Sequence, residues 1–288
     1  MASTTETKNY NDRVIVTISQ CIADVRLNRA DKRNALDPTM FDAIAKAGKD
    51  LVTNREIRAV VLSGNGNSFC AGLDFGSFQS MADGGAGNSG KAKSNQNSGE
   101  NAGAMQPDAI THMAQQICWV WQEVPVPVVA ALQGHALGGG MQLALGADIR
   151  VAHAETQFSM REVHWGLIPD MTGTLMLSRL VSDDVAKDLV FSARVISGTE
   201  AHQVGVVTRL SDKPLETAMQ IAREIADRSP DAVRGAKALI NRLSNAGAAE
   251  HFAEERRIIY SLIGKPNQVE AVMSNFEKRP AKFVSPTV

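Results

Sequence analysis

The segment Gly134-His135-Ala136-Leu137-Gly138-Gly139-Gly140-Met141-Gln142 follows an apolar, strand-like stretch at 126–132 and leads into an apolar, helix-compatible run. The order reads as strand, tight turn and helix start. Such a junction points several backbone N–H groups at one spot, at the positive end of a helix dipole. It can bind an anion or an oxyanion developing on a substrate; a plain turn that lets a helix pack closely uses glycines in the same way. A second small-residue turn, Gly64-Asn65-Gly66-Asn67-Ser68-Phe69-Cys70-Ala71-Gly72-Leu73-Asp74, follows the apolar run Ala59-Val60-Val61-Leu62-Ser63. Cys70 has the atom type of a nucleophile, yet the sequence places no His and Asn partners beside it, and a small buried residue describes it better. Further on, Gln157-Phe158-Ser159-Met160-Arg161-Glu162-Val163-His164-Trp165-Gly166-Leu167-Ile168-Pro169-Asp170 carries two carboxyl groups, Glu162 and Asp170. His164 shares a face with Glu162 only if this segment is extended.

These residues need elements to hold them. Val14-Ile15-Val16-Thr17-Ile18 and Ile22-Ala23-Asp24-Val25-Arg26-Leu27 have the β-branched content of paired strands. Asp37-Pro38 reads as an N-cap with proline at the first helical position, launching a helix through about Val52 with Met40, Ile44, Ala47 and Leu51 on its apolar side. Strands near Val60, Val128 and Ile149, separated by helical segments, imply β–α crossovers and a mainly parallel sheet. From about Pro214 the pattern is almost wholly helical: Ser229-Pro230 caps one helix, and 248–263 and 267–278 supply two more. The expected organisation is an α/β core over residues 1–213 and a C-terminal helical region over 214–288. Within the core, 79–106 is rich in Gly, Ser, Ala and Asn and reads as a flexible insertion or lid beside the site. Its Gly85-Ala86-Gly87-Asn88-Ser89-Gly90-Lys91-Ala92 nearly spells a P-loop. However, Ala92 stands where a magnesium-binding hydroxyl belongs and no strand precedes it, so nucleotide binding is rejected.

Composition narrows the partners. With 288 residues, 44% hydrophobic and 21% charged, the chain can bury a large core. A net charge of −1 gives no long-range field to recruit nucleic acid or a membrane surface. Three widely spaced cysteines, Cys21, Cys70 and Cys118, follow neither a disulfide framework nor a zinc pattern. The polar residues 1–12 show no signal-peptide core, and no run approaches the roughly 18 apolar residues of a spanning helix. A cytoplasmic protein with a small-molecule partner is expected.

Taken in order, the two turns and the 157–170 segment resemble the crotonase superfamily, the enoyl-CoA hydratases and isomerases. The resemblance extends over nearly the whole chain, from Leu27-Asn28-Arg29 and Asn34-Ala35-Leu36 to Phe276-Glu277-Lys278-Arg279-Pro280-Ala281-Lys282-Phe283. It implies an α/β, crotonase-like fold of repeated ββα units with a C-terminal helical layer, assembled as a homotrimer or a dimer of trimers. It implies an acyl-CoA thioester substrate, with coenzyme A part of that substrate and neither a resident cofactor nor a metal. The oxyanion hole for the thioester enolate would use the N–H groups of Ala71 and Gly139. In the family's hydratases two glutamates hold a water; the first position is Gln142 here and the second is Glu162. An amide accepts no proton at neutral pH, so two-carboxylate hydration is in doubt. Glu162 followed eight residues later by Asp170 is similar to the dienoyl-CoA isomerases, although these carry an aspartate where Gln142 stands. Asp170 also reads as a helix N-cap ahead of Met171-Thr172-Gly173-Thr174. The basic candidates for the coenzyme A phosphates are Arg29, Lys32, Arg33, Lys278 and Lys282; ordinary solvated surface charge is the alternative for each. Trp165 would line the acyl pocket or the core, His164 would form pocket wall or a structural hydrogen bond, and Asp74 would fix its turn. The implied activity is a double-bond isomerase of enoyl- or dienoyl-CoA. Enoyl-CoA hydratase is the alternative, and a non-catalytic acyl-CoA-binding homologue the rival of another class.

Overall fold

A computed structural model describes residues 5–76, 103–107 and 109–285. Strands β1 (Glu6–Tyr10), β2 (Val14–Ser19) and β3 (Ile22–Leu27) form an antiparallel meander. From β3 onward the sheet is parallel, through β4 (Ala59–Gly64), β5 (Val128–Leu132), β7 (Ile149–Ala152) and β9 (Arg209–Leu210), in the order β1-β2-β3-β4-β5-β7-β9. A second, two-stranded parallel sheet pairs β6 (His135–Leu137) with β8 (Gln157–Ser159).

The central strands are apolar throughout because both faces of the sheet are covered. Val60, Leu62, Val128, Ala130 and Leu132 face the larger core, beneath α1 (Pro38–Thr53) and α2 (Met113–Glu123). The alternate residues Ala59, Val61, Val129 and Ala131 face the other way, against Ala218, Ile221, Ala222 and Ala226 of α7 (Pro214–Ala226). Asp37 caps α1 as expected, accepting the Met40 N–H at 2.7 Å. The remaining helices are α3 (Gly139–Leu145), α4 (Gly173–Ser178), α5 (Asp183–Ser192), α6 (Gly198–Gln203), α8 (Pro230–Ser244), α9 (Ala248–Leu262) and α10 (Pro266–Phe276).

The C-terminal helices form no independent core. Helix α7 closes one face of the sheet, Ala248 and Phe252 of α9 belong to the larger core, and Ile259 and Val272 pack on Leu167. The periodicity that marked 214 as the start of a helical layer says nothing about which apolar faces meet. Most of the predicted insertion, 79–102, and the P-loop-like stretch lie outside the described residues.

Candidate active site

The two glycine turns meet. Gly72, at φ 91°, lies so close to β6 that a Cβ there would sit 2.5 Å from the Leu137 carbonyl oxygen and 3.7 Å from the Gly139 nitrogen. Only glycine tolerates both the dihedral and the approach. Leu36 lies parallel to Leu73: its N–H donates to the Gly72 carbonyl at 2.8 Å, and its carbonyl accepts the Asp74 N–H at 3.0 Å.

That ladder corrects one expected donor. The Ala71 N–H is already given to the Arg33 carbonyl at 3.0 Å, so it faces no ligand. Leu73 sits between the two ladder bonds, and in a parallel ladder such a residue turns its own N–H away from the partner strand. Its N–H has no acceptor among the described residues, and Leu73 lines a cavity of about 540 Å³ together with Gly139. Gly139, as expected, is the first residue of α3, following Gly138 at φ 53°, where an N–H has no intrahelical partner. Leu73 and Gly139 are therefore the residues of the two turns that line the cavity with N–H groups free of an acceptor among the described residues.

Glu162 and Asp170 both line this cavity. Residues Arg161–Trp165 form a 3₁₀ turn, not an extended strand. Glu162 therefore points inward, while His164, two residues on, projects outward and bonds Asn275 Oδ1 through Nε2 at 2.8 Å. His164 lines no part of the cavity, which corrects its pocket-wall assignment; Trp165 does line it, edge-on to Phe75 with ring centroids 6.1 Å apart. Glu162 Oε1 accepts the Gln142 amide at 2.6 Å, whereas Oε2 is buried without a partner among the described residues. Burial pushes the Glu162 carboxyl up to about 7, against the opposing effects of its own backbone hydrogen bond and the Gln142 amide.

Gln142 is fully buried and stands behind Glu162, not on the cavity wall. Its Oε1 accepts the N–H groups of Met171 at 2.9 Å and Gly173 at 3.0 Å. It is a positioning residue, which corrects its place among the groups that touch substrate. Asp170 is no helix cap: α4 begins at Gly173 with Thr172, at φ 71°, in the N-cap position. Burial first, then the negative charges of Glu255 and Glu162, push the Asp170 carboxyl up to about 8.

Glu255 is a buried acid for which the local pattern gave no signal, since it lies on α9, 85 residues beyond Asp170. Its Oε2 accepts from the Thr172 N–H at 3.1 Å and Gln115 Nε2 at 3.0 Å, and its Oε1 from the Thr174 hydroxyl at 2.8 Å. Three successive N–H groups, those of Met171, Thr172 and Gly173, are thus held by Gln142 and Glu255. The loop carrying Asp170 is fixed from both sides.

Of the basic candidates, Lys32 and Arg33 line the cavity, joined by Arg161, which the sequence reading missed. Arg29 does not. Its guanidinium is committed to Asp74 at 2.7 Å and Asp37 at 3.4 Å, and Asp74, accepting the Gly76 N–H at 3.0 Å, fixes its turn as expected. Lys278 and Lys282 are exposed and outside the cavity lining. Cys70 is buried, donates to the Asn34 carbonyl at 3.1 Å, and has its thiol pushed up to about 12 by burial, which excludes it as a nucleophile. Among the described residues no cluster of His, Cys, Asp or Glu has the makings of a metal site.

The same arrangement of chain recurs in known proteins. Residues 17–286 match the enoyl-CoA hydratase/isomerase family. A probable enoyl-CoA hydratase of Mycobacterium leprae is 29% identical over 274 residues, covering 94% of this chain and 98% of the relative. The mitochondrial methylglutaconyl-CoA hydratase of Mus musculus is 30% identical over 267 residues, 89% of this chain and 77% of the relative. The crystal structure of an enoyl-CoA hydratase/isomerase from Pseudoalteromonas atlantica superposes with a TM-score of 0.79 at 25% identity, covering 94% of this chain and all of that one.

Proposed function

Since the chain belongs to the enoyl-CoA hydratase/isomerase family, the crotonase superfamily, we propose that it shifts the double bond of an enoyl- or dienoyl-CoA thioester through an enolate. The thioester carbonyl oxygen accepts hydrogen bonds from the Leu73 and Gly139 N–H groups. As charge develops on that oxygen, each donor stabilises it by about 3 kcal/mol. Glu162 Oε2 takes the α or γ proton, and the electron pair of the broken C–H bond passes through the conjugated system to the thioester oxygen. Asp170, held protonated near neutrality, delivers a proton to the other end of the system, and the carbonyl re-forms beside the displaced double bond. Proton exchange with solvent then resets the two acids. Lys32, Arg33 and Arg161 at the cavity suit the anionic phosphates of coenzyme A.

The observation that carries this reading is the environment of Glu162. Among the described residues its side-chain partner is the Gln142 amide, whose oxygen is already used by two backbone N–H groups, so position 142 offers no carboxylate to hold a water, and the other acid of the cavity, Asp170, is held protonated near neutrality. Hydration is the competing reading, favoured by the hydratase names of the mycobacterial and mouse relatives. A panel of 2-enoyl, 3-enoyl and 3,5-dienoyl thioesters in heavy-oxygen water, with products read by mass spectrometry, separates the two. Isomerisation leaves the product free of label. Label incorporated at the rate of substrate loss replaces the isomerase reading with hydration.

A further inference from the structure

One wall of the cavity carries a polar atom that the proton-transfer chemistry leaves unused. His112 is the N-cap of α2: its Nδ1 accepts the Gln115 N–H at 3.0 Å, and Gln115 Oε1 accepts the His112 N–H at 3.3 Å. A neutral imidazole whose Nδ1 accepts must carry its proton on Nε2. Burial pushes the His112 pKa down to about 4, so the ring is neutral at physiological pH. The residue is 1% exposed and lines the cavity, and Nε2 bonds no protein group among the described residues, nor is it sealed from the cavity. The Tyr260 hydroxyl, which also lines the cavity, donates to the Gly103 carbonyl at 3.0 Å, and the Arg256 guanidinium donates to the Ile110 carbonyl at 3.0 Å and Gln115 Oε1 at 2.8 Å. Met171, Ile259 and Leu167 are among the apolar residues of the cavity lining. A buried donor in such surroundings is costly until an acceptor meets it.

We propose that the Nε2–H of His112 reads the acyl group, and that the preferred substrate carries a neutral oxygen acceptor, a keto or hydroxyl oxygen, on its acyl chain instead of being a plain hydrocarbon. The inference rests on the acyl-CoA reading above and narrows its substrate class. A neutral oxygen is favoured over a carboxylate because the cavity already holds Glu162 and Asp170, and His112 supplies a donor without a positive charge. A carboxylate would gain no charged partner from this neutral imidazole and would meet the ionised Glu162.

The test is a binding measurement that needs no turnover. Hexanoyl-CoA, its positional oxo and hydroxy derivatives, and adipoyl-CoA as the carboxylate are titrated calorimetrically into the full-length parent and into His112→Asn. Asparagine keeps the cap on Gln115 but lacks the Nε2 donor. At least one oxo or hydroxy derivative is expected to bind the parent about tenfold tighter than hexanoyl-CoA, the worth of one desolvated neutral hydrogen bond. The preference should vanish in His112→Asn, so that hexanoyl-CoA and its oxo or hydroxy derivatives bind the variant equally. Equal affinities across the neutral series in the parent, or a preference that survives in the variant, overturn the inference; so does a His112-dependent preference for adipoyl-CoA. Failure of every thioester to bind removes the acyl-CoA reading itself, a different outcome from binding without preference. If the variant does not fold, the ¹⁵N-histidine spectrum of the parent decides. The Nε2 resonance of His112 must shift with the favoured derivative and not with hexanoyl-CoA, and equal shifts refute the assignment.

Discussion

Gln142→Glu exchanges the amide that donates to Glu162 for a carboxylate while keeping the shape of the side chain. One oxygen of the new group inherits the N–H groups of Met171 and Gly173, now as charge-assisted bonds, and the other falls 2.6 Å from Glu162 Oε1. Two carboxylates this close cannot both ionise at neutral pH. With charge centres about 4 Å apart and an effective dielectric near 20, their repulsion is roughly 4 kcal/mol, or about three pKa units. The two N–H donors hold the negative charge on residue 142, so the shared proton resides on Glu162, whose ionisation moves from about 7 to roughly 10. At about pH 7 the fraction of Glu162 able to act as base drops from near half to roughly one part in a thousand. Turnover on the best thioester should therefore fall by about 10² or more at neutral pH, and its acid limb should move to higher pH, while loss of the Asp170 proton near pH 8 keeps it from returning to the parent level. The assay is kcat/KM against pH for parent and variant, with a thermal melt to establish that both are folded. An acid limb at the same pH in both proteins refutes the reasoning, as does a limb displaced downward.

Glu162→Gln should lower turnover by about 10² or more, the contribution of a positioned acid–base group, and unchanged turnover would remove Glu162 from the chemistry. The same variant should be the more stable protein at alkaline pH. Glu162 is raised from its ordinary 4.5 to about 7, so the folded protein holds a proton the unfolded chain releases, and stability declines as pH rises across that window by on the order of 3 kcal/mol. Melting temperatures of parent and variant should converge near pH 4 and separate above pH 7; parallel curves would contradict the shift. Asp170→Asn should cost dienoyl isomerisation about 10², and because Thr172 holds the N-cap position, Asp170→Ala should not incur the 0.5 to 2 kcal/mol typical of a lost cap. A measured cap penalty would restore the discarded reading. Glu255→Gln retains the acceptor for the Thr172 N–H but removes the charge, so the Asp170 titration followed by ¹³C-carboxyl NMR should move down from about 8 by about one unit. No movement would show that Glu255 acts through the hydrogen bonds alone.

What the residues settle locally was legible in the sequence. The apolar strands, the Asp37 cap of α1, the two glycine turns, and Glu162 with Asp170 follow from periodicity, from dihedral constraints and from motif resemblance, all of them properties of neighbouring positions. Tertiary structure decided the rest, because hydrogen-bond direction and burial depend on what arrives from elsewhere. The resemblance pointed to Ala71 as donor, but Arg33 takes the Ala71 N–H, Leu36 takes up the ladder groups on either side of Leu73, and the Leu73 N–H is left facing the cavity. Gln142 reads as a defective catalytic residue until Met171 and Gly173 are found on its oxygen. Arg29 reads as a phosphate ligand until Asp37 and Asp74 claim it. Glu255 and His112 carry no local signal at all. A carboxylate on α9 and an imidazole capping α2 become part of this site because packing buries them beside it, and only there does low dielectric give a charge or an unpaired N–H its leverage over the chemistry.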